Sequence, residues 1–351
     1  MPTVLIPHQT GGNIYIRELG RAYARLGWTP IYGSENLLED NCRPELVHLH
    51  WPEEFYRWRG EGRPEQRAEH FLARLSALAE AGIPTAWTVH NLAPHDKPDH
   101  PLDAAVYQAM AKQAGCIHHH CPNSVQLLSQ RYPVPVSTRQ FVAPHGHYLG
   151  YANHISKAEA RQRLGIPADA RVFLQFGQIR GYKGLNLLFA AFDQLRLDRK
   201  FLLVAGLYNA PTGPGAWRER LGLIWRKRTS ANLLVHGRAI DSDDIQIYAN
   251  AADCLVLSHT AGLNSGVAIL GMSFGKPVIG PDLGCLGWVL GQGPNRVYPT
   301  GDATALAAAM QSAFDDPATL EATGRDNLRV AGQWQWEGIA GEVLTQLKLR
   351  A

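Results

Sequence analysis

Short apolar runs alternate with stretches of helical spacing, and nothing else in the chain limits its fold as strongly. In the first series Val4 to Ile6 precedes a helical stretch from Tyr15 to Leu26. Leu46 to Leu49 precedes a charged helix near Glu65 to Ala81, and Thr85 to Val89 precedes a helix near Leu102 to Ala114. Strands separated by helices of that length imply parallel pairing through right-handed crossovers, so a doubly wound sheet is expected. Ligands bind beyond the carboxyl ends of the strands in such sheets.

A second series starts after Ala143-Pro144-His145-Gly146-His147-Tyr148, a segment that reads as a hinge. It runs through helix 157–164, strand Val172 to Phe176, helix Leu185 to Leu195, strand Phe201 to Val204 and strand Asn232 to His236. Helix Asp243 to Asn250, strand Cys254 to Leu257, a loop and helix from Asn264, and strand Pro277 to Gly280 follow. At 351 residues the chain exceeds what one core usually organises. The expected fold class is therefore α/β, with two Rossmann-like doubly wound domains, 1–150 and 151–330, facing a cleft that holds the active site. The last helix, 331–351 with Trp334 and Trp336, is expected to pack back on the first domain.

The net charge of +3 is too small to predict nucleic-acid binding. Basic residues do cluster at Arg57-Trp58-Arg59 and at Trp225-Arg226-Lys227-Arg228, and the first cluster motivates peripheral contact with the inner face of a membrane. Five scattered cysteines suit free thiols in a reducing cytosol. Met1 leads straight into a strand, and no apolar stretch approaches the roughly 20 residues that span a bilayer. A cytoplasmic location is the expectation.

In the second half two loops carry phosphate chemistry. Gly177-Gln178-Ile179-Arg180-Gly181-Tyr182-Lys183-Gly184 follows a strand, and its glycines allow close approach. Arg180 can fork two phosphate oxygens while Lys183 acts as a point charge. Asn264-Ser265-Gly266-Val267 opens a small-residue helix, whose free N–H groups, hydroxyl and positive end favour an anion. Pro211-Thr212-Gly213-Pro214-Gly215 reads as a mobile loop. Neither a dinucleotide fingerprint nor a P-loop stands at a strand–helix junction. A diphosphate held by two loops of this kind suggests a nucleotide-sugar donor, and His236, which ends its strand, joins the donor set.

In the first half Gly11-Gly12-Asn13 follows strand one, where a backbone turns sharply or approaches a ligand. His48-Leu49-His50-Trp51-Pro52-Glu53 and Thr88-Val89-His90-Asn91-Leu92-Ala93-Pro94-His95-Asp96 both follow apolar strands. They bring imidazoles, carboxylates and an indole to one edge, a combination that fits sugar recognition with general-base chemistry. Glu53 and Asp96 are the carboxylates best placed to deprotonate an acceptor hydroxyl. His118-His119-His120-Cys121 invites a metal reading, but neighbours on a strand alternate faces and no second ligand pair has zinc-site spacing, so no metal site is expected.

Together, Val47 to Glu53, His90 to Asp96, His145 to Tyr148, Ile179-Arg180 with Tyr182-Lys183-Gly184, and Asn264-Ser265-Gly266 with its helix and Pro277-Val278 resemble the two-domain GT-B glycosyltransferases. Within that fold they resemble the bacterial xanthan-type GDP-mannose:glycolipid β-1,4-mannosyltransferase family. The resemblance implies metal-independent transfer of a hexose, mannose from GDP-mannose, to a hydroxyl of a glycan or lipid-linked oligosaccharide in polysaccharide assembly. The nucleotide sugar is then a co-substrate, and no cofactor is implied. The C-terminal domain would hold the donor diphosphate through Arg180, Lys183, Ser265 and Gly266. The N-terminal domain would hold the acceptor, with Gly11, Gly12, Asn13, His50, Trp51, Asn91, His145, Gly146, His147 and Tyr148 as the substrate-binding set.

One departure matters. Common retaining relatives carry two glutamates eight positions apart around the Asn264 helix, and the corresponding positions here are Gly262 and Leu270. For an inverting reaction Glu53 is the first choice of base, Asp96 the second, and His90 orients the donor sugar. The alternatives are a retaining transferase using a UDP-sugar, a sugar-nucleotide epimerase of the same shape, and a non-catalytic sugar-nucleotide binding protein.

Overall fold

The computed structural model describes residues 1–58, 61–94, 100–209 and 216–349, with side chains omitted at 216–221. Asp96, His95, Arg59 and the Pro211 to Gly215 loop, all singled out in the sequence, lie outside the described residues. The chain divides into two compact units, one of Met1–Gly146 with Trp334–Ala351 and one of His147–Gln333.

The first unit contains β1 (Thr3–Ile6), α1 (Ile14–Arg25), β2 (Thr29–Tyr32), α2 (Ser34–Leu38), β3 (Leu46–Leu49) and α3 (Pro64–Glu80). These are followed by β4 (Thr85–Val89), α4 (Pro101–Gln113), β5 (Cys116–His119), α5 (Pro122–Arg131) and β6 (Arg139–Val142). Its six strands lie in the order β2-β1-β3-β4-β5-β6 and pair in parallel throughout. The order reverses between β1 and β3, so the loops after these two strands flank the crevice where a doubly wound sheet takes its ligand. Two edge strands escape a reading by hydropathy. β2 contains Pro30, which lacks a donor and is tolerated because only one side of the strand is paired. β6 keeps only Phe141 fully inside.

The second unit contains α6 (Lys157–Leu164), β7 (Arg171–Phe176), α7 (Leu185–Gln194), β8 (Lys200–Ala205), α8 (Ala216–Thr229), β9 (Leu233–His236) and α9 (Ile245–Ala251). β10 (Cys254–Val256), α10 (Gly266–Ser273), β11 (Val278–Pro281), α11 (Leu286–Leu290), β12 (Arg296–Tyr298), α12 (Ala303–Ser312) and α13 (Pro317–Ala331) complete it. The strand order is β12-β11-β10-β7-β8-β9, again all parallel. Here the reversal falls between β7 and β10. These are the strands that deliver Gly177 to Gly184 and the loop leading to Asn264. Core residues Phe173, Leu188, Leu202, Val204, Val256 and Ile279 cluster with Leu306 and Met310 of α12.

A last helix, α14 (Trp336–Gln346), belongs to the first unit. It buries Trp336, Ile339, Ala340, Val343 and Leu344, the i, i+3, i+4 stripe of an amphipathic helix, against Ile16, Leu19 and Tyr23 of α1. Each large side chain there contributes about 1.5–3 kcal/mol, so a charge at Ile339 would undock the helix. Cys42, Cys116 and Cys254 are free thiols, as expected, whereas Cys121 and Cys285 are each disulfide-bonded, so the expectation of free thiols fails at those two. Among the described residues no helix is long and apolar enough to cross a membrane.

Candidate active site

In the second unit the two phosphate-type loops are tied together at the β7/β10 crevice. The Ser258 hydroxyl donates to the Lys183 carbonyl (2.7 Å), and the Thr260 amide donates to the Tyr182 carbonyl (2.8 Å). Gly184 is left-handed (φ 64°), and a Cβ there would sit 1.9 Å from the Ser258 carbonyl oxygen, so only glycine lets the loops close up. Gly177 brings its backbone close to Val267 of α10 and to the Lys183 ammonium. Lys183 is buried, and burial, reinforced by Arg180, lowers its pKa to about 8. Among the described residues no carboxylate pairs with Lys183 or Arg180. A buried cation without a counter-ion is costly, and a bound anion would relieve it.

The helix end adds to this field. Ser265 is the N-cap of α10 but makes no side-chain cap bond, and its hydroxyl is buried without a hydrogen-bond partner among the described residues. The first turn of α10 contains no acidic residue. Asn264 is half-buried beside it. Arg180, Gly181, Gly184, Tyr208, Asn209 and Thr260 line part of a cavity of about 230 Å³ next to the loops. His236 stands apart, since its Nδ1 is 2.9 Å from the Tyr248 hydroxyl at the far edge strand β9.

In the first unit the carboxyl ends of β1, β3, β4 and β5 collect a buried imidazole cluster. His50 and His90 meet through Nδ1 and Nε2 (3.1 Å), and Trp51 stacks on His90 with ring centroids 4.2 Å apart. Tyr15 of α1 sits among His50, His90, His120 and His145, each at 4.7–5.7 Å between centroids. Burial first, then the neighbouring imidazoles, holds His50, His90 and His120 far below the ordinary histidine range, and all three are neutral. Among the described residues, the His50 Nε2 and both ring nitrogens of His120 are buried without hydrogen-bond partners. Strand alternation is visible at 118–120: His118 and His120 share one face, while His119 turns to Ser124 and Gln140. No group of three or more His, Cys, Asp or Glu among the described residues is arranged to hold a metal ion.

Glu53 lies in a single 3-10 turn (Pro52–Phe55) after β3 and is 3% exposed. Its carboxylate accepts from the Tyr107 hydroxyl (2.7 Å), yet burial outweighs that bond and pushes its pKa up to about 7. A carboxyl poised there exchanges a proton near neutral pH, the property a general base requires. Asp103 on α4, which sequence reasoning passed over, anchors this neighbourhood by accepting from Tyr56 (2.5 Å) and by pairing with Arg57. His8 was also missed: its Nδ1 is 3.0 Å from Glu54 and its Nε2 accepts the His50 amide. A lone histidine after β1 carries no sequence signal of that partnership.

The remaining residues have visible structural duties. Asn13 caps α1 by accepting from the Ile16 amide, and Gly11 and Gly12 form the exposed turn before it. Asn91 is half-buried after β4. His145 packs against Tyr15 and Trp336, and a Cβ on Gly146 would lie 2.3 Å from the Trp336 ring, so this glycine serves the seat of α14. His147 accepts from the Leu149 amide. Tyr148 stacks on Tyr151, and its amide donates to Ser273 at the end of α10.

Two parallel doubly wound sheets, each with its crevice residues at the strand reversal, define the GT-B fold class. Residues 156–329, all within the second unit, match the family model for glycosyl transferases group 1. The chain is 26% identical over 276 residues to a D-inositol 3-phosphate glycosyltransferase of Thermobispora bispora, covering 75% of this chain and 64% of that protein. It is 25% identical over 248 residues to the GDP-mannose:glycolipid 4-beta-D-mannosyltransferase of Xanthomonas campestris, covering 68% and 62%. The fold matches a sucrose-phosphate synthase from Thermosynechococcus elongatus at a TM-score of 0.73 and 22% identity, covering 99% of both chains. The chain spans less than two thirds of the length of the curated relatives it matches.

Proposed function

We propose that the protein is a glycosyltransferase that moves a hexose from a nucleotide sugar to a hydroxyl of a glycan or glycolipid, with mannose from GDP-mannose as the favoured donor and inversion as the outcome. The observation that carries this reading is the cation pair Arg180 and Lys183, without a carboxylate partner among the described residues, beside the Ser265 hydroxyl, which has no hydrogen-bond partner among them, and the N-terminus of α10. That set matches a diphosphate in charge, in donor count and in its place at the strand reversal. Stabilising the departing diphosphate is the chief electrostatic task of such a transfer, and these groups would do it without a resident cofactor or metal.

In this reading Glu53 is the base that removes the acceptor proton, with Asp96 second, and the half-buried Trp51, backed by the buried His50 and His90, recognises sugar. The positions Gly262 and Leu270, where retaining relatives carry glutamates, favour inversion. The relative whose name specifies a GDP-mannose donor and a glycolipid acceptor supports the choice of both. A thermal-shift screen over GDP, UDP, GDP-mannose and UDP-glucose tests it, because a ligand that binds only the native state raises apparent stability. GDP compounds should raise the transition temperature and Arg180→Ala should abolish the rise. A rise with UDP compounds alone would overturn the donor, and none with any of the four would overturn the transferase reading. Product analysis of the anomeric configuration then decides inversion.

A further inference from the structure

Helix α8 has two unlike sides. Inward, Leu223 packs against the core of the second unit. Arg226, three residues on, is fastened by two hydrogen bonds to Asp193 (3.0 and 2.6 Å) and lies over the Phe189 ring at 4.8 Å. Outward, the same turns leave Ile224 41% and Trp225 65% exposed, with Lys227 and Arg228 exposed beside them. Neither cation pairs with a described residue. The helix is thus held firmly by one face, while an indole, a branched aliphatic side chain and two free cations share the other.

We propose that this outer face of α8 binds an anionic lipid surface. An indole settles at the headgroup level, Ile224 enters the acyl boundary below it, and Lys227 and Arg228 meet lipid phosphates. A nucleic acid would use the cations and the indole but would gain little from Ile224. The Arg57-Trp58 patch is the poorer candidate, because Arg57 is consumed by Asp103. The inference rests on the glycolipid-acceptor reading for its purpose, and the following test measures binding without turnover, so either can fail alone.

The intact protein is sedimented with vesicles of phosphatidylcholine alone, or of phosphatidylcholine mixed with phosphatidylglycerol, at low and high salt. Binding is expected only to the mixed vesicles and should weaken with salt. Each basic residue contributes about fivefold to such partitioning, so Lys227→Glu with Arg228→Glu should reduce it at least tenfold. Ile224→Ser with Trp225→Ser should also release the protein, whereas Lys227→Arg and Trp58→Ser should leave binding unchanged. Circular dichroism and an unchanged melting temperature confirm that each variant is folded. Equal recovery in the supernatant with and without phosphatidylglycerol would overturn the proposal. So would full binding by the α8 variants, loss in Trp58→Ser, or binding to a single-stranded oligonucleotide in place of the vesicles.

Discussion

The His118 Nε2 lies 2.8 Å from the Ala143 carbonyl oxygen, and that one contact orients a hydrogen-bond chain through the first unit. A carbonyl only accepts, so Nε2 carries the proton and Nδ1 is bare. The Thr88 hydroxyl, 3.1 Å away, must therefore donate to Nδ1 and accept from the His48 Nε2 (2.8 Å). The His48 Nδ1 is then bare and accepts from Tyr23 (2.9 Å). Every donor in the chain Tyr23, His48, Thr88, His118 and Ala143 is matched while both imidazoles are neutral, and it stitches α1, β3, β4, β5 and the segment after β6 together. Thr88→Val keeps the shape but strands a buried N–H and a buried ring nitrogen. A loss of about 2–4 kcal/mol is expected by urea unfolding, with Thr88→Ser near wild type.

Acid should unfold this unit early. Burial lowers the pKa of His118 to about 3 and of His119 and His145 to about 4, against an ordinary value of 6.5. The unfolded chain therefore binds more protons below 6.5, so the stabilisation is intact above that pH and is lost as pH falls toward 3–4. These three groups alone represent on the order of 10 kcal/mol, comparable with the whole stability of a domain. Tryptophan fluorescence at constant salt should report cooperative unfolding near pH 5. A native signal down to pH 3 would contradict neutral burial of the cluster.

Gly184→Ala tests the closure of the two loops at the β7/β10 crevice. The added methyl group meets the Ser258 carbonyl oxygen in a left-handed backbone, and a loss of at least about 2 kcal/mol is expected. Gly181→Ala, with open space at its Cβ, should be neutral. Equal melting temperatures for the two variants would show that the loop relaxes freely.

Much of this architecture was legible because hydrophobic period and element length are local properties. The central strands β1, β3, β4, β7, β8 and β10, buried on both faces, stand out as apolar runs, and helices such as α3, α6 and α7 lie within a residue or two of their expected ends. The edge strands β2, β6 and β12 were not legible, since half-paired strands need neither apolar faces nor a full set of donors. The same holds in the site. Glycine and cation patterns marked Arg180, Lys183 and Ser265, because phosphate chemistry demands those types after a strand. His8, Asp103 and Tyr107 carry no such mark, and their roles come from partners about 40 to 55 residues away.

If Glu53 is the base, its burial sets the pH profile. With its pKa pushed up to about 7, kcat/KM should rise with pH through that value, because only the carboxylate accepts a proton. Glu53→Gln should lower kcat by about 100-fold or more and remove the inflection. Its effect on folding runs the other way. The raised value means that stability falls as pH climbs from 4.5 to 7, so the glutamine variant should be more stable at pH 8, on the order of 1–3 kcal/mol. Wild-type turnover in the variant would remove the base assignment, whatever its stability.

Lys183 should display the same opposition between stability and ligand binding. Its pKa, lowered from 10.5 to about 8 by burial, means that the unfolded chain holds the proton more tightly. The folded state is penalised at neutral pH, and the penalty is relieved as pH rises from 8 to 10.5. Lys183→Met removes the buried charge and keeps most of the volume, so the ligand-free protein should gain on the order of 1–3 kcal/mol in denaturant unfolding. The same substitution deletes half of the cation pair beside Ser265, and affinity for a nucleoside diphosphate should fall at least tenfold by calorimetry. Nucleotide binding to the wild type should take up protons between pH 8 and 9, because the phosphates favour the ammonium form. A stabilised variant with unchanged affinity would mean that Lys183 only fills space under the loop, and an affinity loss without proton uptake would place the phosphates beyond its reach.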